Sequence, residues 1–340
     1  MTDPQLWHTI RRADGSWPYP FGDVGGVTSD LGKLWSVACA TNSTGDLHML
    51  AVNIEGLGPV IGGPRVPSYA LWHTIRRADG SWPYQFGNVG SLLAEPYPSA
   101  SYGAVGCATN TVGDLHVLAK TYQGRLLHTI RLADGSWPYP FGNVDEVTSS
   151  NIGENYGAFA CATNAAGDLH VITTDFPQGR IRHTIRLANG SWPYPFQLLP
   201  LPNIGQLRSV ACATNSAGDL HILAELEEPA KIWHTIRRAD GSWPYPFGDV
   251  EGVTSNIGAA SGCACATNAA GDLHVLTSSV PEGKIWHTIR RADGSWPYPF
   301  GDVEAATSNI GVNFGHLACA TNVAGDLHVL AGRPYLPYPP

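Results

Sequence analysis

The phrase HTIRRADGSWPYPFGDV, which begins at His8, returns in near-identical form five more times along a chain of 340 residues. Repetition constrains folding strongly, because a unit too short to bury its own apolar face must stack on its neighbours. The histidine of HTIR falls at 8, 73, 128, 183, 234 and 287, and that of GDLH at 48, 116, 170, 221, 274 and 328. Units are therefore about 50–55 residues long, one of them lengthened by NIEGLGPVIGGPRVPS.

Each unit reads as four short strands. SVACATN is apolar and small, and the glycine of NSTGD suits the left-handed position of a hairpin loop leading into LHVLA. KIWHTIRR alternates, with Ile232, His234 and Ile236 on one face and Trp233, Thr235 and Arg237 on the other. ADGS supplies Asp-Gly, a strong hairpin signal, and WPYPF is read as the fourth strand. Proline has no N–H for a ladder, so Pro18 and Pro20 put that strand at an outer edge. The N–H groups of Trp17, Tyr19 and Phe21 are then expected to serve the partner strand. The small residues of ACAT suit strands crowded around an axis. The chain opens on third and fourth strands and closes on first and second, so its ends complete one sheet. The expected fold is all-β: a six-bladed β-propeller, four antiparallel strands per blade, with N-terminal strands completing the C-terminal blade. It is expected to span residues 1–333 as one domain, followed by a Pro-rich tail at 334–340.

Charged residues make up only 14% and the net charge is −8, so the chain lacks the basic stripe that a phosphate backbone requires. Nucleic acid is not an expected partner. No apolar run approaches the ~18 residues of a membrane span, so membrane insertion is not expected either. The start MTDPQLWHTI shows no basic segment followed by an apolar one, which points to the cytoplasm or to non-classical release. Nothing fixes an oligomeric state. Cys39, Cys107, Cys161, Cys212, Cys265 and Cys319 occupy the same place in successive units, too far apart for the ~4.4–6.8 Å Cα separation of a disulfide. They read as small buried hydrophobes, with Cys263 an additional free thiol.

The pairing of ACATN..GDLHVL with LWHTIR.ADGSW...FGDV resembles the bacterial fucose-binding propeller lectins typified by the Photorhabdus lectin. The resemblance covers nearly the whole chain apart from residues 54–68 and the tail. It implies sugar sites in the grooves between neighbouring blades and multivalent recognition of fucosylated or similar glycans. Those lectins look seven-bladed, whereas six units are counted here, and blade number sets the angle between neighbours.

Tracing the strands puts the ADGS and NxxGD turns at one end and connections such as GDVEGVTSNIG at the other. Two sets of candidate sugar-binding residues follow. At the turn end stand Trp17, Trp82, Trp137, Trp192, Trp243 and Trp296, with Arg11, Arg76, Arg131, Arg186, Arg237 and Arg290. An indole face stacks on the apolar face of a sugar, and a guanidinium donates to hydroxyls. The structural alternative has Trp17 packing between blades, Asp14 making the turn and Arg11 pairing with Asp46. At the loop end stand Trp7, Trp72, Trp233 and Trp286, replaced in two units by Leu127 and Arg182. A position that accepts all three residue types is expected to be partly exposed, for ligand contact or rim packing. The twelve repeated histidines show neither HxH nor HxxxH spacing and read as rings hydrogen-bonded to a neighbouring strand, without metal or other cofactor.

No GxSxG, P-loop or distinctive Cys–His context marks a nucleophile, and an active site normally breaks symmetry. The expected function is thus a non-enzymatic, multivalent carbohydrate-binding protein, a lectin, with fucose or a related deoxy or methylated sugar as ligand by resemblance. Two alternatives stand: a hydrolase or lyase using the axial channel, and a protein-interaction scaffold presenting VIGGPRVPSYA. The fourth HTIR unit breaks the pattern with Arg182, Asn189 and Gln197, which form no familiar constellation; it is the unit expected to have lost function. Lys231–Gly258 and Lys284–Gly311 are almost identical, a mark of recent duplication or deliberate construction.

Overall fold

A computed structural model describes residues 5–57, 67–92, 102–121, 123–150, 156–175, 178–280, 282–311 and 316–333. It contains six four-stranded antiparallel sheets. Taking strands from the axis outward, blade 1 comprises Leu34–Thr41, Leu47–Leu57, Pro67–Arg76 and Gly87–Asn88. Blade 2 comprises Tyr102–Thr109, Leu115–Thr121, Leu126–Arg131 and Gly142–Asn143. Blade 3 comprises Tyr156–Thr163, Leu169–Asp175, Ile181–Arg186 and Gln197–Leu198. Blade 4 comprises Leu207–Thr214, Leu220–Leu226, Ile232–Arg237 and Gly248–Asp249. Blade 5 comprises Ala259–Thr267, Leu273–Val280, Ile285–Arg290 and Gly301–Asp302. Blade 6 joins the two ends of the chain: His316–Thr321 and Leu327–Gly332 pair onward to Leu6–Arg11 and Gly22–Asp23. The seam runs in continuous register from Leu6 opposite Gly332 to Arg11 opposite Leu327. Innermost strands of neighbouring blades pack on one another all the way round, blade 6 on blade 1 included. The wheel is closed, with six sectors as expected.

Small side chains make that closure possible. Ala38 and Cys39 are buried and, with their counterparts, line an axial channel of about 250 Å³. The seven cysteines are all free and buried, and burial pushes the thiol pKa of Cys161 up to about 12, which makes it a poor nucleophile. The threonine of each CATN then binds the sectors together. Thr41 donates to the carbonyl of Thr321, Thr109 to that of Thr41, Thr163 to Thr109, Thr214 to Thr163, Thr267 to Thr214 and Thr321 to Thr267. Outside this circuit, apolar faces meet between blades. Leu50, Val52 and Leu71 of blade 1 pack with Val105 and Val117 of blade 2, each fully buried aliphatic side chain being worth about 1.5–3 kcal/mol.

One expectation fails. WPYPF is not a strand; the outermost ladder is only Gly22–Asp23, paired with His8 and Trp7. With two ladder donors removed by proline, the segment is held by other means. The Thr9 hydroxyl donates to the Tyr19 carbonyl, and the same bond recurs in every blade. Nor does the Phe21 N–H serve a partner strand, since it donates to the Ser308 hydroxyl in the connection from blade 5. Among the described residues four such latches join a phenylalanine N–H to a serine of the preceding connection, at Phe21, Phe86, Phe196 and Phe300. In five connections a four-residue helix follows the outer strand, as at Val24–Val27. The connection of blade 3, QLLPLPN, has none. Part of the long insertion extends the blade 1 hairpin; residues 58–66 and the tail 334–340 lie outside the described residues, and with them most of the VIGGPRVPSYA stretch.

Candidate functional site: clefts between blades

Strand alternation decides what each cleft receives. The third strand of a blade turns its histidine toward the next blade and its arginine toward the previous one. The cleft between blades 5 and 6 therefore holds Arg11 and Trp17 from blade 6, facing His274, His287 and Tyr298 of blade 5. Equivalent groupings recur at every boundary. Arg76 and Trp82 face His8, Arg131 and Trp137 face His73, and Arg186 and Trp192 face His128. Arg237 and Trp243 face His183, and Arg290 and Trp296 face His234. The tryptophan and arginine sets named from the sequence thus converge pairwise.

The arginine is the unusual member. Arg11, Arg76, Arg131, Arg186 and Arg290 are half-buried, and among the described residues none makes a hydrogen bond or ion pair through its guanidinium. Partial burial draws their pKa down, though they remain cations at any ordinary pH. The proposed pairing of Arg11 with Asp46 is not what forms. The next residue, Arg12, takes Asp326 of its own blade at 2.8 Å, and the same bridge joins Arg77 to Asp46, Arg238 to Asp219 and Arg291 to Asp272. These carboxylates also accept the N–H of the alanine in each ADG turn, so the two turns of a blade are clipped together. Asp14 makes its turn by accepting from the Ser16 N–H, as Asn189 does from Ser191, so this departure of the fourth unit preserves the turn.

The tryptophan is half-buried and stands edge-on to the neighbouring histidine, with ring centroids 6.0 Å apart at 85° for Trp17 and His287. Four other clefts repeat the contact at 5.8 to 6.1 Å. Each histidine is in turn hydrogen-bonded and stacked on its blade partner, as His287 Nε2 on His274 Nδ1 at 3.0 Å. All six blades carry this pair, so the neighbouring-strand partner anticipated for the rings is another histidine. Burial holds both rings neutral, lowering the pKa of the inner one to about 4. Among the described residues the inner ring's Nε2 has no partner at His48, His116 and His274, leaving a buried polar atom near the cleft arginine.

Sequence reasoning overlooked the tyrosine between the two prolines. Tyr19, Tyr84, Tyr139, Tyr194, Tyr245 and Tyr298 are each about half exposed and stand beside the arginine of the next blade. Four are fixed by the bridging arginine of their own blade, as Tyr298 by Arg291, whose guanidinium lies 5.5 Å from the ring centre. Blades 2 and 3 have Leu132 and Leu187 at that place, and Tyr139 and Tyr194 lack the clamp.

The loop-end set behaves otherwise. Trp72, Arg182, Trp233 and Trp286 are partly exposed, as expected, whereas Trp7 is 6% exposed and Leu127 fully buried, against that expectation. Trp72, Trp233 and Trp286 pack on the apolar clusters between blades. Trp72 Nε1 donates to Asn53 and Trp286 Nε1 to Ser279. Arg182 is bound to Asp175 at 2.7 Å. Trp72, Arg182 and Trp286 thus each have a polar partner within their own blade, whereas the buried Nε1 of Trp233 has none among the described residues.

No protein-family model matches the chain, and no curated protein matches its sequence. Solved structures do resemble it. AofleA from Arthrobotrys oligospora gives a TM-score of 0.59 at 12% identity, over 90% of this chain and 81% of that one. Aleuria aurantia lectin in complex with α-methyl-L-fucoside gives 0.55 at 13%, over 87% and 86%. A Hadza microbial sialidase, Hz136, gives 0.56 at 10%, over 94% and 71%. At such identities the likeness concerns the propeller fold, and it extends to lectins and an enzyme alike, so function has to be argued from the clefts.

Proposed function

We propose that the protein is a non-enzymatic, multivalent lectin whose ligand lies in the inter-blade clefts at the turn end, with fucose or a related deoxy or methylated sugar as the ligand. The observation that carries this reading is the half-buried arginine left without an internal partner beside an indole, repeated around the wheel. In a cleft of this kind the Trp17 face packs on the C–H face of the sugar. Arg11 donates to ring or hydroxyl oxygens, and the Tyr298 hydroxyl closes the far side. Single sites of this shallow kind bind weakly, and several at fixed spacing on a rigid ring gain avidity without new contacts. The solved lectins with bound fucosides support fucose as the first sugar to test. The test is titration calorimetry with methyl α-L-fucoside alongside a glycan array. Saturable binding at several sites per chain, lost when the six cleft tryptophans are replaced by alanine in a folded protein, is the expected result. Silence across the array removes the reading.

A further inference from the structure

The boundary between blades 3 and 4 is built differently from the others. After Phe196 the connection reads QLLPLPNIG, two residues shorter than the GDVEGVTSNIG that follows Phe247. Three consequences follow. Leu199 stands where Val24, Val89, Val144, Val250 and Val303 are fully buried at the start of a helix; it has no helix and stays partly exposed. Pro202 stands where Ser255 latches the next blade's phenylalanine, and the N–H of Phe247 forms no such bond. Finally, Trp243 makes no ring contact with His183, although both line one opening of about 430 Å³ with Arg237 and Tyr194.

Beside that opening lies a second cavity of about 140 Å³, walled by Ile181, Leu198, Leu199, Leu201, Ile204 and Phe247. Its polar rim is already satisfied: Arg180 is paired with Asp175 at 2.8 Å, and Asn203 donates to the Gln178 carbonyl. Leu198 and Leu199 line both cavities, so the apolar one adjoins the sugar cleft across these two side chains. An apolar cavity of about 150 Å³ stays dry and accepts benzene, which sets the size of the group this one accommodates.

We infer that the cleft between blades 3 and 4 is a distinct site for glycosides bearing a compact apolar aglycone. The sugar lies against Arg237 and Trp243, and a group of about phenyl size enters the Leu199–Leu201–Phe247 cavity. This rests on the lectin reading for the sugar half, while the apolar half stands on the cavity. The fourth HTIR unit has on this view exchanged one selectivity for another.

The test is titration calorimetry of the full chain with methyl and phenyl α-L-fucoside, and with phenyl β-D-glucoside and phenyl β-D-galactoside. Phenyl fucoside is expected to reveal one tighter site per chain, at least tenfold above the remainder, that methyl fucoside does not show. Leu201→Asn, which makes the wall polar, and Leu201→Trp, which fills the cavity, should both remove that site and leave methyl fucoside binding unchanged. Circular dichroism identifies either variant that fails to fold, and the other then decides. If every phenyl glycoside binds once per chain in a Leu201-dependent manner while methyl fucoside does not bind, the cavity stands and the fucose reading falls. Equal binding of methyl and phenyl fucosides, a tight site indifferent to both Leu201 variants, or no binding of any phenyl glycoside overturns the inference.

Discussion

The cleft between blades 5 and 6 and the cleft between blades 3 and 4 share a tryptophan, an arginine, a histidine pair and a tyrosine, yet they differ in shape. In the first, Arg291 clamps Tyr298, Ser308 holds the Phe21 N–H, and Trp17 closes on His287. In the second, leucine and proline replace the clamp and the latch, and Trp243 stands off. The shared groups carry the chemistry of contact. The clamp and the latch do not touch the sugar in the proposed site; they set how far the sugar-contacting groups stand apart. Selectivity in a repeat protein can therefore drift while each recognition residue stays in place.

The largest expected effect tests what the two clefts have in common. Buried histidine pairs are held neutral when folded, whereas an unfolded histidine titrates near its ordinary value of about 6.5. Below that pH the unfolded chain binds more protons, so stability declines until the folded rings themselves titrate, at about 4 for the inner ones. Glu225 and Asp145, raised to about 7 by burial, act in the opposite sense but are outnumbered. Urea midpoints should be flat above pH 7 and fall steeply between pH 6.5 and 4, with both clefts lost together. A flat profile through pH 5 would show that the pairs do not hold neutral rings.

Next in size is the indole. Trp17→Ala should remove one binding site per chain in calorimetry and cost about 2 kcal/mol of stability, part of the 3–5 kcal/mol typical of a buried aromatic. Trp243→Ala should also remove one site, at smaller cost, because its ring lacks the histidine contact. Equal costs would indicate that the two clefts are the same in solution. A smaller effect comes from the clamp. Leu187→Arg places a guanidinium where its counterparts reach the aspartate and tyrosine of their blade, here Asp168 and Tyr194. It should add about 0.2–1 kcal/mol and tighten binding at that cleft a few-fold, with Arg291→Leu doing the reverse. The smallest is the latch: Pro202→Ser should add about 1 kcal/mol through a bond to the Phe247 N–H, and a crystal structure should show Trp243 drawn toward His183.

Blade number, closure and strand order were legible because they follow from repeat spacing and from which strands stand at the two ends. The pairing of Trp17 with Arg11 was legible in part, since both belong to one repeat, but their meeting with the histidines of the preceding blade depends on how neighbouring sheets abut. The choice between Arg11 and Arg12 for the aspartate was not. Both lie at the mouth of the same turn, and only the apposition of two hairpins shows that Asp326 reaches the second. Tyr19 was hidden by its prolines, which placed it in an edge strand and so removed it from consideration as a contact residue. Trp7 and Leu127 were misjudged because variation among the repeats says nothing of local cover: the Arg333 guanidinium lies over the Trp7 ring, and Leu127 joins the apolar cluster between blades 1 and 2.

The threonine circuit has no first member. The hydrogen bond from Thr41 to Thr321 crosses the gap between the two ends of the chain in the same sense as the five that span unbroken polypeptide. Where the backbone happens to be cut is thus of no consequence to the hub: joining the present ends and opening any rim connection would leave the same circle of hydroxyls and carbonyls. The termini mark a point on a wheel that has no preferred beginning.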